Sequence, residues 1–378
     1  MPGGPTRIED LRAQLRGAGA KPRHETLVLR AWVRGLALDA FAHLADFPAR
    51  LRAALPEIAA AWRETVALRS EHPSVDGSAR LLLALRDGRT IESVLLPGDG
   101  VCVSTQVGCA VGCLFCMTGR GGLERHLGAA EIAAQVALAR SRRPTRRVVL
   151  MGMGEPAHNL DEVLDALDLL GTEGAFDSKN LVFSTVGDRR AFERLPLGRV
   201  KPALALSLHT TDPELRARLL PHAPRIEPAE LVELAERYAR ATGYPIQYQW
   251  TLLEGVNDGD DEIERAAELL AGKYAVLNFI PFNSIDGPRV GPAHIDTAVV
   301  SGAGADGAAF RRPSHARAEA IAKALYRRGV LAKLRRSAGQ DVEAGCGQLR
   351  ARAVTALRHS GAAVAAERIV ATSKGLGA

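Results

Sequence analysis

Up to about Arg69 the apolar positions recur at helical spacing. They run through Ile8-Leu11-Leu15, then Leu27-Leu29-Trp32-Val33, then Phe41-Leu44-Phe47-Leu51-Leu55, the period of helices that each bury one face. This pattern predicts an N-terminal helical accessory domain over residues 1–75. The pattern then changes: two apolar runs, Arg80–Leu85 and Thr90–Leu96, flank Asp87-Gly88, a pair that tolerates the positive φ of a tight turn. A β-hairpin is therefore expected over 76–99, leading into the rest of the chain.

From about residue 100 strand-like and helix-like runs alternate. Strand-like stretches lie at Val101–Thr105, Val148–Gly152, Leu181–Thr185, Ala203–Leu208, Ile246–Leu253 and Ala275–Pro281, with helical patterns such as Ala129–Ala139, Leu160–Leu170, Leu231–Tyr238 and Ile263–Leu270 between them. Six such units predict an α/β fold with a parallel sheet, either doubly wound or curled into a full or partial barrel. Residues 284–313, rich in Gly, Ala and Pro, interrupt the rhythm as a long loop. A basic helix at His315–Arg328 and a strand-like Leu331–Arg336 follow, completing a core over 100–349, and residues 350–378 read as a C-terminal helix and tail.

A chain of 378 residues is long enough for two or three domains with a sizeable core. Apolar residues at 47% and charged residues at 24% exclude general disorder and fibrous folds. No run approaches ~18 apolar residues, and Met1–Arg7 lacks the apolar centre of a signal peptide, so the expectation is a cytoplasmic protein with no membrane association. The 49 basic and 43 acidic residues leave a net charge of +6, a mild excess that suits a polyanionic partner. Arg12, Arg16, Lys21, Arg23, Arg30 and Arg34 of the helical region are candidates to touch it, with a solvated helix face as the plainer alternative.

The five cysteines narrow the chemistry. Cys102, Cys109, Cys113 and Cys116 fall within fifteen positions, and Cys346 stands far downstream. An odd number without a secretory signal argues for metal or redox chemistry over a disulfide framework. Cys109, Cys113 and Cys116 form C-x3-C-x2-C on a loop after the first strand of the α/β unit, and in such folds the loops at the carboxyl ends of the strands carry the site. Three close thiolates can hold an iron–sulfur cubane by three of its four irons, leaving one iron for a ligand that is not protein. A structural zinc site is the alternative; it needs a fourth ligand, and His126 is ten residues on.

The cysteine spacing, with Phe115 before the third cysteine, resembles the signature of the radical S-adenosylmethionine (SAM) enzymes. That resemblance implies a partial (β/α)6 barrel, a [4Fe-4S] cluster on Cys109, Cys113 and Cys116, and S-adenosylmethionine bound at the free iron. Further segments fit such a cofactor: Gly152-Met153-Gly154-Glu155-Pro156, where Gly154 lets the backbone approach and Glu155 holds the ammonium, then Ser184, Ser207-Leu208-His209 and Asn257 at successive strand ends.

Within that superfamily Cys102–Gly108, Gly152–Pro156, Ser207-Leu208-His209, Val256-Asn257-Asp258, Ile280-Pro281-Phe282-Asn283 and Ala344–Leu349 together resemble the ribosomal and transfer RNA adenine-C2 methyltransferases. Their relatives are the C8-methylating resistance enzymes. The resemblance runs from about Glu92 to Leu349. It implies methylation of an adenine ring carbon in 23S rRNA, and possibly tRNA, with two S-adenosylmethionine molecules per turnover. It further implies that Cys346 carries the methyl group as S-methylcysteine, that Cys102 resolves the adduct by forming a disulfide with Cys346, and that Glu92 accepts a proton. A flavodoxin or ferredoxin would donate electrons to a monomeric enzyme. By residue type alone Glu92 reads as a solvent-facing strand residue and Cys346 as a buried small hydrophobe. The helical region, residues 337–341 and the loop at 286–310 depart from the family pattern.

Overall fold

A computed structural model describes residues 4–285 and 310–351; the expected loop at 286–310 and the C-terminal helix and tail lie almost wholly outside them. Three helices open the chain, α1 (Ile8–Gly17), α2 (Pro22–Val33) and α3 (Ala49–Arg63). The helical spacing of Phe41–Leu55 is broken: Ala42–Leu44 is a single 3-10 turn, and α3 starts only after Pro48. The expected helical domain over 1–75 also ends early. Val66–Pro73 is a strand, β1, whose burial alternates weakly because it lies at the sheet's edge.

The strands β2 (Ala79–Leu85) and β3 (Thr90–Leu96) form the expected hairpin around Gly88, whose φ is 84°. Neither is isolated. β1, β2 and β3 run antiparallel and continue through β4 (Gly100–Cys102) into seven parallel strands: β4, then β7 (Arg147–Leu150), β8 (Leu181–Thr185), β9 (Ala203–Ser207), β10 (Ile246–Leu252), β11 (Ala275–Pro281) and β12 (Ala332–Leu334). Crossovers carry α4 (Ala129–Arg142), α5 (Leu160–Thr172), α6 (Arg189–Arg194), α7 (Pro213–Leu219), α8 (Pro228–Thr242), α9 (Asp260–Leu270) and α10 (His315–Arg327). The fold is thus α/β with a mostly parallel sheet. A two-stranded ribbon, β5 (Gln106–Gly108) with β6 (Leu123–His126), projects between β4 and α4.

The sheet is rolled. β7 and β10 are three strands apart, roughly 14 Å along a flat sheet, yet Arg147 Nη2 donates to Gln247 Oε1 at 3.2 Å. Among the described residues no ladder joins β12 to the other edge. Instead the segment after β12 returns to that edge: Gly339 N donates to Asp76 at 2.9 Å, Asp341 bonds Ser74, and Arg350 N donates to Glu92 on β3 at 2.7 Å. The result is a partial barrel closed by a loop.

One continuous apolar core runs from Leu11 to Leu349, so α1–α3 are packed on the barrel and share its interior. Their basic residues are largely committed within the chain: Arg12 and Arg16 pair with the buried Glu25, and Arg30 and Arg34 bond the side chain and backbone of Glu173.

Candidate active site

Register decides which side chains enter the barrel. Gly100 lies opposite Arg147 and Cys102 opposite Val149, and Cys102 also faces Val94 on β3. Since side chains alternate, Glu92 and Cys102 share the face from which Arg147 reaches Gln247. Continuing the parallel register places Ser184, Ser207 and Gln249 on that same face.

The ribbon β5–β6 carries the cysteine loop at the carboxyl end of β4. Gly108 has φ 76°, and a Cβ there would lie 2.0 Å from Gly122 O, so the crossing requires glycine. Cys109 N donates back to Gly122 O at 2.9 Å, and Cys116 N to Cys113 O at 3.1 Å. The loop is pinned to the end of α7 and the segment after it by Leu114 N donating to Leu219 O and His222 N to Val111 O. Val111, Phe115, Met117, Val186, Leu219 and Leu253 wrap it in a small second core. In that shelter burial pushes the Cys109 thiol up to about 12 and the Cys113 thiol well above its ordinary value, with repulsion from the other sulfurs and Glu155 adding to it. As thiolates these three sulfurs need a cationic centre beside them.

Among the described residues, no three His, Cys, Asp or Glu side chains converge closely enough to hold one metal ion. His126 Nδ1 instead faces Gln106 Nε2 at 3.0 Å, so the zinc arrangement it would complete is not built. A cubane is larger than one ion and holds its thiolates further apart. Three sulfur donors, an apolar shelter and no fourth protein ligand fit that group.

The residues expected to meet the methionine end of the cofactor lie next to the loop. Glu155 is buried, and its oxygens accept from Ala157 N at 3.1 Å and Val186 N at 3.0 Å. Burial outweighs these bonds and that of Thr185, holding its pKa up at about 7; an ammonium group brought against it would reverse that. Gly154, at φ 108°, packs its backbone on Thr105 and Gln106, which a Cβ would meet at 2.7–2.8 Å. Ser184 and Ser207 are half-buried at the ends of β8 and β9. Leu208 and His209 both donate their N–H to Gln249 O. His209 takes the left-handed conformation, φ 65°, uncommon for a non-glycine residue. Its Nδ1 accepts from Thr251 N at 3.0 Å, and its ring packs edge-on against Phe115, 4.8 Å away. Asn257 is fully buried and bonds Leu253 N, His209 O and Thr251 O, all at 2.8 Å. Its amide therefore holds the β9 and β10 ends together.

The two cysteines outside the triad lie on the other side of the loop, near enough for the charge of one to act on the other. Cys102 is buried and its thiol is pushed up to about 12, by burial first and then by the negative charge of Cys346. Cys346 is exposed, contrary to its reading as a buried hydrophobe, because it sits on the closing loop. That loop bonds the cysteine loop twice: Met117 N donates to Gly347 O at 2.6 Å, and Thr118 Oγ1 to Leu349 O at 2.7 Å. All five cysteines are free, so the Cys102–Cys346 disulfide that the resemblance implies is not formed here. Glu92 corrects the sequence more sharply. It is fully buried, not solvent-facing, paired with the buried Arg80 and accepting from Arg350 N.

Sequence reasoning missed Arg80, Thr118 and Arg216, and gave Asn283 a place in a motif but no role. Arg216 is 4% exposed, donates to Val186 O and Ser207 O, lies near Cys113 and Glu155, and leaves its buried Nε without a partner. Burial lowers its pKa to about 10. A buried arginine in an amphipathic helix gives no sequence signal, since its periodicity is that of a surface residue.

Residues 103–270 match the model of the radical SAM superfamily. Over 353 residues the chain is 63% identical to a probable RNA methyltransferase of Methylibium petroleiphilum, covering 93% of this chain and 95% of that one. A probable RNA methyltransferase of Thiobacillus denitrificans is 64% identical over 352 residues, covering 93% and 92%. Among solved structures, a radical SAM methyltransferase from Sphaerobacter thermophilus is 33% identical with a TM-score of 0.76, covering 92% of this chain and 98% of that one.

Proposed function

The chain belongs to the radical SAM superfamily, with relatives called probable RNA methyltransferases, and from that membership we propose that it methylates a ring carbon of adenine, C2, in 23S rRNA and possibly tRNA. The observation that supports this is the docking of the Cys346 loop on the cysteine loop, through Met117 N to Gly347 O and Thr118 Oγ1 to Leu349 O, which brings in a further cysteine that a cluster site alone does not need. Cys109, Cys113 and Cys116 would hold the [4Fe-4S] cluster, and Gly154, Glu155, Ser184, Ser207, Leu208, His209 and Asn257 would line the S-adenosylmethionine beside it.

When bound, cluster and cofactor supply a methyl group and a hydrogen-abstracting 5′-deoxyadenosyl radical, from two S-adenosylmethionine molecules per turnover. The Cys346 sulfur gives up its proton and carries the methyl group as S-methylcysteine, on a loop exposed enough to meet RNA. The sulfur tethers the methyl carbon to adenine while Glu92, held by Arg80, accepts the proton from the modified ring carbon. Cys102 then gives up its proton and attacks the Cys346 sulfur; an S–S bond forms as the S–C bond to the product breaks, the released carbon keeps that electron pair and takes a proton to become the methyl group, and external thiol reductant returns the pair to thiols. Burial keeps Cys102 protonated until it is needed.

An electron donor of flavodoxin or ferredoxin type would serve the cluster of a cytoplasmic monomer. Among the described residues no helix is long and apolar enough to cross a membrane. Nucleoside mass spectrometry of rRNA and tRNA from cells with and without the gene tests the proposal. The expected result is 2-methyladenosine that disappears with the gene; gene-dependent 8-methyladenosine would replace C2 by C8, and no gene-dependent methyladenosine would overturn the function.

A further inference from the structure

Asn283 ends the Ile280-Pro281-Phe282-Asn283 stretch and has no part in the chemistry above. It follows β11 directly, where Phe282 N is tied to Leu252 O at 3.2 Å, and is 4% exposed. Its Oδ1 accepts from Arg312 Nη2 at 2.9 Å, while Arg312 Nε donates to Phe282 O at 2.8 Å. Guanidinium nitrogens only donate, so this bond fixes which end of the amide is oxygen. Both Nδ2 hydrogens are thereby aimed at the closing loop, one at Cys346 O (3.1 Å) and one at Ser337 Oγ (2.9 Å).

We propose that Asn283 is a positioning residue for Cys346, clamping both ends of the 337–346 loop to the rigid end of β11 so that the sulfur is kept where Cys102 can reach it. The proposal rests on Cys346 being the methyl carrier. The glycines around Cys346 agree with a clamped loop. A Cβ at Gly345 would lie 2.8 Å from Asn283 Nδ2 and 2.7 Å from Gln348 Oε1. On the other side Gly347, at φ 84°, packs on the cysteine loop, where a Cβ would meet Phe115 O at 2.8 Å. Cys346 is thus suspended between β11 and the cysteine loop by backbone that leaves no room for side chains on either flank. A site built from a rigid strand end and an oriented amide holds a reacting atom better than an untethered loop.

The change that isolates this role is Asn283→Asp. It retains the oxygen that Arg312 bonds but replaces the donor facing Cys346 O with a second acceptor, which repels that carbonyl. The measurement is the rate of Cys102–Cys346 disulfide formation under diamide in the anaerobically reconstituted protein, mapped by peptide mass spectrometry, alongside the melting temperature. Loss of a bond to the loop is expected to slow the reaction about tenfold with little change in the melting temperature. Should Asn283→Asp not fold, Arg312→Met frees the amide to flip and is expected to slow the reaction by a smaller factor. A wild-type rate in whichever variant folds overturns the clamp. S-methyl occupancy of Cys346, read in the same peptides, tests the carrier role separately: an unmethylated wild-type Cys346 that still oxidises ten times faster than the variant removes the carrier role but keeps the clamp.

Discussion

Glu155 offers a test in which stability and function part company. Its carboxyl is buried, and its pKa rises from the ordinary 4.5 to about 7 in the folded chain. Folded protein therefore binds this proton more tightly than unfolded protein, so the stability of the cofactor-free protein falls as pH rises from about 4.5 to 7 and is level above. The displacement is worth about 3 kcal/mol. Glu155→Gln removes the titration but turns amide hydrogens toward Val186 N or Ala157 N, losing a bond worth ~1–3 kcal/mol at every pH. Comparing the two proteins at one pH mixes these effects, whereas the change with pH isolates the charge. Denaturant unfolding of cluster-free protein under reducing conditions should show the stability difference, variant minus wild type, rising by about 3 kcal/mol between pH 4.5 and pH 8. Binding of S-adenosylmethionine should weaken in the variant, since an ammonium finds its best partner in the ionised carboxylate. A difference that stays flat with pH would refute the burial argument, and undiminished cofactor binding would remove Glu155 from the cofactor site.

The remaining expectations concern the other side of the cysteine loop. Cys346→Ala should leave cluster assembly and 5′-deoxyadenosine formation intact while abolishing RNA methylation, whereas Cys102→Ala should accumulate a covalent protein–RNA adduct on denaturing gels. Methylated RNA released at the normal rate by either variant would remove that residue from the mechanism. Arg80→Met should strand a fully buried carboxylate and cost about 3–5 kcal/mol in denaturant unfolding, and adding Glu92→Gln should recover most of it. Additive losses in the double variant would show that the two side chains do not act as a pair.

Much of the architecture was legible because its determinants are local. The 3.6-residue period of Leu160–Leu170 and the short apolar runs at Leu181–Thr185 and Ala203–Leu208 state their element types without reference to anything distant, and α5, β8 and β9 follow. β1 escaped notice for the converse reason: at the sheet's edge, Val66–Pro73 buries only Val66 fully, and its pairing with β2 supplies order that its own composition does not declare. The turn at Ala42–Leu44 was hidden by apolar spacing that ran on past Pro48.

The site divides along the same line. Cys109, Cys113 and Cys116 sit on one short loop, so spacing alone determined that three sulfurs would share it, and the place of Glu155 at a strand end followed from its motif. What only the tertiary structure decided is everything that depends on rolling the sheet. Rolling brings the segment after β12 back to β3, and that return docks the Cys346 loop on the cysteine loop, buries Glu92 beneath Arg350 N with Arg80 as its counter-ion, and hands Asn283 the carbonyl of Cys346. These contacts join residues far apart along the chain, and their energy comes from desolvated charges and oriented hydrogen bonds. Neither leaves a periodic trace in sequence, which is why a buried glutamate and a solvent-facing one looked alike until the barrel closed around it.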